Sequence, residues 1–162
     1  MSVTLTLETE PPLRELDPFP ETDSKDFLGL MFGPGRGAFE RALGLDLAVL
    51  HHCASDTSEG AEQMLREDWG EEAEAMIAES RRSSALAWHT PDEFIACLER
   101  LADRLERHGR KLPEAVCRVV DPRGHARGYF QTGSFFSDVA GCLAAVRRAK
   151  EQGARRVRSF AW

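Results

Sequence analysis

The only run of consecutive strong metal or nucleophile donors in the chain is His51-His52-Cys53. Imidazole and thiolate are the ligands zinc prefers, and a histidine beside a cysteine can also activate a thiol. Three adjacent side chains cannot all face one ion. On a strand His51 and Cys53 would share a side, and folding would have to supply further ligands such as His89 or His125. No H-x-x-x-H, H-E-x-x-H or C-x-x-C spacing accompanies the run. It reads as the polar end of an apolar segment, and neither a metal nor a cofactor is expected.

Other chemistry-bearing patterns are equally incomplete. Gly33-Pro34-Gly35-Arg36-Gly37 precedes a short helical pattern and so resembles a phosphate cradle, but no Lys-Ser/Thr follows and the spacing is not G-x-G-x-x-G. A G-x-S-x-G nucleophile elbow is absent from the sequence, and Ser134 or Ser137 is explained as a helix cap. Cys97, Cys117 and Cys142 sit among apolar residues and read as buried free thiols. His108 falls at a helix end, where a cation favours the dipole.

Charge carries more information than motifs. The net charge of −6 hides a split: residues 1–80 hold 18 acids and 5 bases, whereas residues 81–162 hold 9 acids and 16 bases. Within the first half, residues 59–79 contain eight acids and one base, Arg66. On a helix Glu67, Glu71 and Glu74 fall at i, i+4 and i+7, one outward face of a single sign whose members repel one another. Such a face suggests complementarity to something basic, either the six bases between Arg147 and Arg158 or a partner. Glu62 and Glu72 fall in the apolar arc of the same helix, where a carboxylate must reach the edge or pair with a base. They lie about 15 Å apart along a helix, too far for an acid/base pair. The basic segment lacks interleaved aromatics, so nucleic acid is not the expected partner.

The elements that position these residues follow from periodicity and punctuation. Val3, Leu5 and Leu7 alternate with polar residues and predict a strand over 2–8; the prolines that follow predict an irregular arm over 9–24. Ala38 to Leu43 reads as a short helix, and Leu45 to Leu50 fits either helix or strand. Residues 58–80 carry Ala61, Met64, Leu65, Trp69, Ala73, Met76 and Ile77 at helical spacing, with Thr57 or Ser58 as cap. Thr90-Pro91-Asp92-Glu93 is a capping box with proline at the first helical position, and a helix over 91–108 stops at Gly109. Val116 to Val120, the turn Asp121-Pro122-Arg123-Gly124 and His125 to Gln131 predict a hairpin over 116–131. A last helix ends at Gly153, and a strand over 155–162 closes the chain.

These elements predict one α+β domain over 1–162, with three to four main helices on a small, mainly antiparallel sheet made of the N-terminal strand, the hairpin and the C-terminal strand. No run approaches the roughly 20 apolar residues of a membrane span, and the first residues do not form a signal peptide, so a cytoplasmic protein with no membrane partner is expected. A small acidic α+β chain with an acidic helix and no catalytic motif resembles bacterial immunity and inhibitor proteins that neutralise basic toxins. That resemblance covers size and charge and transfers no site. The functional expectation is therefore a non-catalytic interaction module in which Glu67, Glu71 and Glu74 meet a basic protein or a second copy. The alternative is a small enzyme built around His51, His52 and Cys53.

Overall fold

The computed structural model describes residues 5–13, 25–32, 35–51, 53–54 and 56–161. Its centre is a pair of long helices, α6 (Pro91–Arg107) and α9 (Ser134–Glu151). Asp92 at the start of α6 bonds Lys150 at the end of α9, and Arg147 bonds Glu99, so the two run antiparallel. Phe94, Cys97, Leu98, Leu101 and Leu105 from one meet Phe135, Val139, Cys142, Val146 and Ala149 from the other, all in one buried cluster. The α6 start is the one its sequence dictates: Thr90 Oγ1 accepts from the Glu93 amide, and the Glu93 carboxylate accepts from the Thr90 amide. Its end is built from two consecutive left-handed residues, Gly109 and Arg110, at φ 68° and 64°. Arginine tolerates that conformation here because its guanidinium is held by Glu106 and stacks over Phe136.

The chain ends form the sheet. β1 (Leu5–Glu10) pairs antiparallel with β3 (Arg156–Ala161), and the two residues of β2 (Cys53–Ala54) add to the other side of β3 in parallel. Leu7 and Thr9 are buried, in phase with the alternation read from residue 3 onward. Register sets Glu8 opposite Arg158 and Glu10 opposite Arg156, and both pairs form ion pairs. Strand β1 thus extends into the segment expected to be irregular from residue 9; residues 14–24 of that arm lie outside the described residues.

The architecture expected from the sequence is corrected in two ways. Helices are far more numerous than three or four: α1 (Lys25–Phe32), α2 (Arg36–Leu43), α3 (Ala48–His51), α4 (Glu59–Trp69), α5 (Ala73–Leu86), α7 (Glu114–Val120) and α8 (Arg127–Gln131) join the central pair. The hairpin over 116–131 does not exist. Its turn does: the Gly124 amide bonds the Asp121 carbonyl, and the Asp121 carboxylate accepts from the His125 and Ala126 amides. That turn joins the helices α7 and α8 rather than two strands. Helical spacing puts Val116, Cys117 and the partly buried Val120 on one inward face and leaves Arg118 and Val119 outside, whereas a strand would have put Arg118 on the same side as Val116 and Val120. Packing of α7 on α2 overrides the β propensity of the valines. Neither Ser134 nor Ser137 is the cap, because Gly133 at φ 89° holds the N-cap position of α9 without a side-chain bond.

Candidate functional site

The acidic segment is not one helix. Gly70, with φ 54° and ψ −121°, breaks it, and a single 3-10 turn (Gly70–Glu72) separates α4 from α5. Glycine interrupts a helical pattern at a conformational cost, and only glycine adopts this backbone angle freely. Two ion-pair sets close the elbow into an antiparallel hairpin. Arg81 grips Glu62 with both Nε and Nη2 at 2.7 Å, and Arg66 bonds Glu74 at 2.7 Å while touching Glu62 at 3.5 Å. Ser58 caps α4 by accepting from the Ala61 amide. Helix α4 packs chiefly on α5, and α5 in turn reaches β2. The hairpin is therefore an outer layer attached to the body through its second helix.

This geometry separates the three carboxylates that the sequence put on one face. Glu67 lies in the last turn of α4, Glu71 in the 3-10 turn and Glu74 in the first turn of α5. Glu74 is turned to Arg66, inside the hairpin's own ion-pair network. Glu67 accepts only from the neutral Gln63 amide, and Glu71 has no hydrogen bond or ion pair among the described residues. Asp68 and Glu72 are likewise unpaired among those residues. Of the two carboxylates in the apolar arc, Glu62 is buried and resolved by pairing with Arg81, and Glu72 by reaching solvent.

The basic segment touches the hairpin only where Arg158 Nη1 donates to the Ser84 carbonyl of α5, and among the described residues it forms no ion pair with the hairpin's carboxylates. Arg147 and Lys150 pair with α6, Arg155 and Arg156 with Glu10, and Arg158 with Glu8 while its guanidinium lies 4.6 Å over the Trp88 ring. Intramolecular neutralisation of the acidic helix by residues 147–158 is thus not what the fold builds.

The apolar stripe expected to anchor the helix is only partly inside. Ala73 and Ile77 are buried, but Met64 is 65% exposed and Trp69 53%. Among the described residues, Met64, Trp69, Met76 and Leu86 are four of the five large hydrophobic side chains left exposed, and all four belong to α4 or α5. No ring or cation contact is made by Trp69 among those residues. Sequence reading missed this because helical spacing marks a stripe as apolar without saying whether a neighbour covers it; the glycine inside the pattern was the available signal of a bend.

His51 ends α3 and Cys53 opens β2, while His52 and the side chains of His51 and Cys53 lie outside the described residues. The backbones of Cys53 and His89 follow each other along the same edge of β3, opposite Ser159 and Val157. His125 stands apart, in the exposed turn before α8. Among the described residues no group of three or more potential ligands converges on one point.

Open clefts lie elsewhere among the described residues. One of about 580 Å³ is bordered by Arg110, Lys111, Ser134 and Phe136; another of about 350 Å³ is bordered by Cys117, Arg118, Arg123 and Arg127. Burial pushes the Cys117 thiol above its usual range, opposed by the bond its sulfur accepts from Gln131. Cys97 and Cys142 are pushed up by burial to about 11 and about 12. No helix of the described residues is long and apolar enough to cross a membrane. Comparison with protein-family models, curated proteins and solved structures finds no match for this chain.

Proposed function

We propose that the protein is a non-catalytic interaction module whose α4–α5 hairpin binds a basic protein partner. The observation that carries this reading is the coincidence, on one outer layer, of unpaired carboxylates and uncovered large apolar side chains. Each alone is ordinary on a protein surface; together they match the composition of a docking patch, with apolar anchors ringed by charges of one sign. Glu67 and Glu71 serve as partner-facing charges in this account. Glu74, with its side chain 70% exposed, also pairs with Arg66. A cationic protein would be steered toward the hairpin by its field and held there by apolar burial. Inhibition of a basic toxin is one biological setting for such a module, and a cytoplasmic location suits it.

The test is recovery of partners from the source cells by the tagged protein and by a Glu67→Lys/Glu71→Lys/Glu72→Lys variant, at low and at moderate salt. A basic protein retained by the first and lost by the second, with salt weakening its recovery, supports the proposal. Identical partner sets for the two proteins contradict it.

A further inference from the structure

The hairpin elbow spans Glu67, Asp68, Trp69, Gly70, Glu71 and Glu72, and every one of these residues is exposed. A tryptophan at such a position costs solubility, and four carboxylates within six residues repel one another. Nothing inside the described protein compensates either feature: the carboxylates have no ion-pair partner, and the ring has no aromatic or cationic neighbour. Trp88 provides the contrast within the same molecule. Its ring is covered by the guanidinium of Arg158, which is held in turn by the Glu8 carboxylate at 2.6 Å. The elbow presents the same two ingredients, an indole face and adjacent carboxylates, without the guanidinium.

We infer that Trp69 is the anchor of the docking surface and that it receives an arginine side chain of the partner, stacked on the indole and flanked by the elbow carboxylates. This rests on the reading of the hairpin as a basic-partner surface and adds the chemical group it recognises. Charge complementarity selects a cation, and the indole selects among cations. A guanidinium is planar, weakly hydrated and stacks on an aromatic face while donating in its own plane to carboxylates; an ammonium is compact and strongly hydrated. Arginine is thus preferred over lysine at equal charge. Met64 and Met76, unbranched and exposed on α4 and α5, add adaptable apolar surface to the same hairpin.

The experiment uses the full chain and two fluorescently labelled ten-residue peptides of equal charge, alternating glycine with arginine or glycine with lysine, read by anisotropy at low salt. The arginine peptide is expected to bind at least fivefold more tightly than the lysine peptide. Trp69→Leu is expected to abolish that preference and weaken the arginine peptide five- to tenfold, with Trp69→Phe between the two. Because residue 69 is exposed, circular dichroism should be the same for all three proteins. Asp103→Lys/Glu151→Lys, which changes net charge as much as Glu67→Lys/Glu71→Lys, controls for attraction by overall charge. Equal binding of the two peptides, unaffected by Trp69→Leu but lost in Glu67→Lys/Glu71→Lys, overturns the arginine anchor and leaves the acidic docking surface standing. Absence of binding by either peptide, or equal loss in the control variant, overturns both.

Discussion

Replacing Tyr129 by phenylalanine isolates one buried hydrogen bond near the centre of the fold. The Tyr129 hydroxyl donates to Asp138 Oδ2 at 2.5 Å, and Asp138 is only 2% exposed within α9. The ring itself packs edge-on against Phe130 and Phe135, with centroids 5.1 and 5.8 Å away, and phenylalanine keeps both contacts. The substitution therefore leaves apolar burial almost unchanged and removes one donor from a buried carboxylate. Hydrogen bonds to charged groups contribute about 1.5–3 kcal/mol, which sets an expected loss of about 2 kcal/mol. For a chain of this length that corresponds to a fall of about 4–8 °C in melting temperature. Urea unfolding followed by circular dichroism should show a lower midpoint with the same slope. A double-mutant cycle with Asp138→Ala should give a coupling of at least about 1 kcal/mol, because the two groups act on each other directly. A loss below about 0.5 kcal/mol in Tyr129→Phe would mean that the Tyr129–Asp138 bond contributes little to the fold.

Three further outcomes follow from local features. Thr90→Ala should cost about 1 kcal/mol by stranding the Glu93 amide and dismantling the capping box, read as a shift in unfolding midpoint. Arg81→Ala should loosen the hairpin, since Glu62 keeps only the longer contact to Arg66; faster amide exchange over 59–86 with α6 and α9 unchanged is the expected pattern, and uniform protection would contradict it. Alkaline stability should fall from about pH 9. The thiols of Cys97 and Cys142 ionise near about 11 and about 12 when folded, against a usual value of 9.0. Both raised values favour the folded state below pH 9. As pH climbs from 9 toward those values the unfolded chain sheds protons that the folded one retains, and stability drains by up to about 1.4 kcal/mol per pH unit and thiol. Cys97→Ala should flatten that decline, and an unchanged slope would count against the burial argument.

Which elements were legible follows from where their determinants lie. The start of α6 needs only Thr90, Pro91 and Glu93, all within four residues, and the sequence states them directly. The terminal strands were legible because β1 buries one face, which enforces alternation through Leu7 and Thr9. Helix α7 was not, because Val116, Val119 and Val120 favour a strand locally and the surface of α2 decides otherwise. The acidic character of the site was legible, but its shape was not. Whether Glu74 was paired depended on Arg66, and whether the bases of β3 were free depended on the register against β1, a pairing of residues about 150 positions apart. Exposure of Trp69 depended on a bend at Gly70 that periodicity averages over.

As a docking surface, the elbow carboxylates should carry no structural load in the chain itself. The most direct test is the unfolding free energy of the Glu67→Lys/Glu71→Lys/Glu72→Lys variant against the natural chain at low salt. These three carboxylates have no ion-pair partner among the described residues, and their mutual repulsion costs a few tenths of a kcal/mol per pair. Stability should stay within about 0.5 kcal/mol of the natural chain, relief of the repulsion offsetting the lost placement of Glu71 and Glu72 at the start of α5. A loss of more than about 1 kcal/mol would show that the carboxylates hold the fold together, and would contradict this expectation.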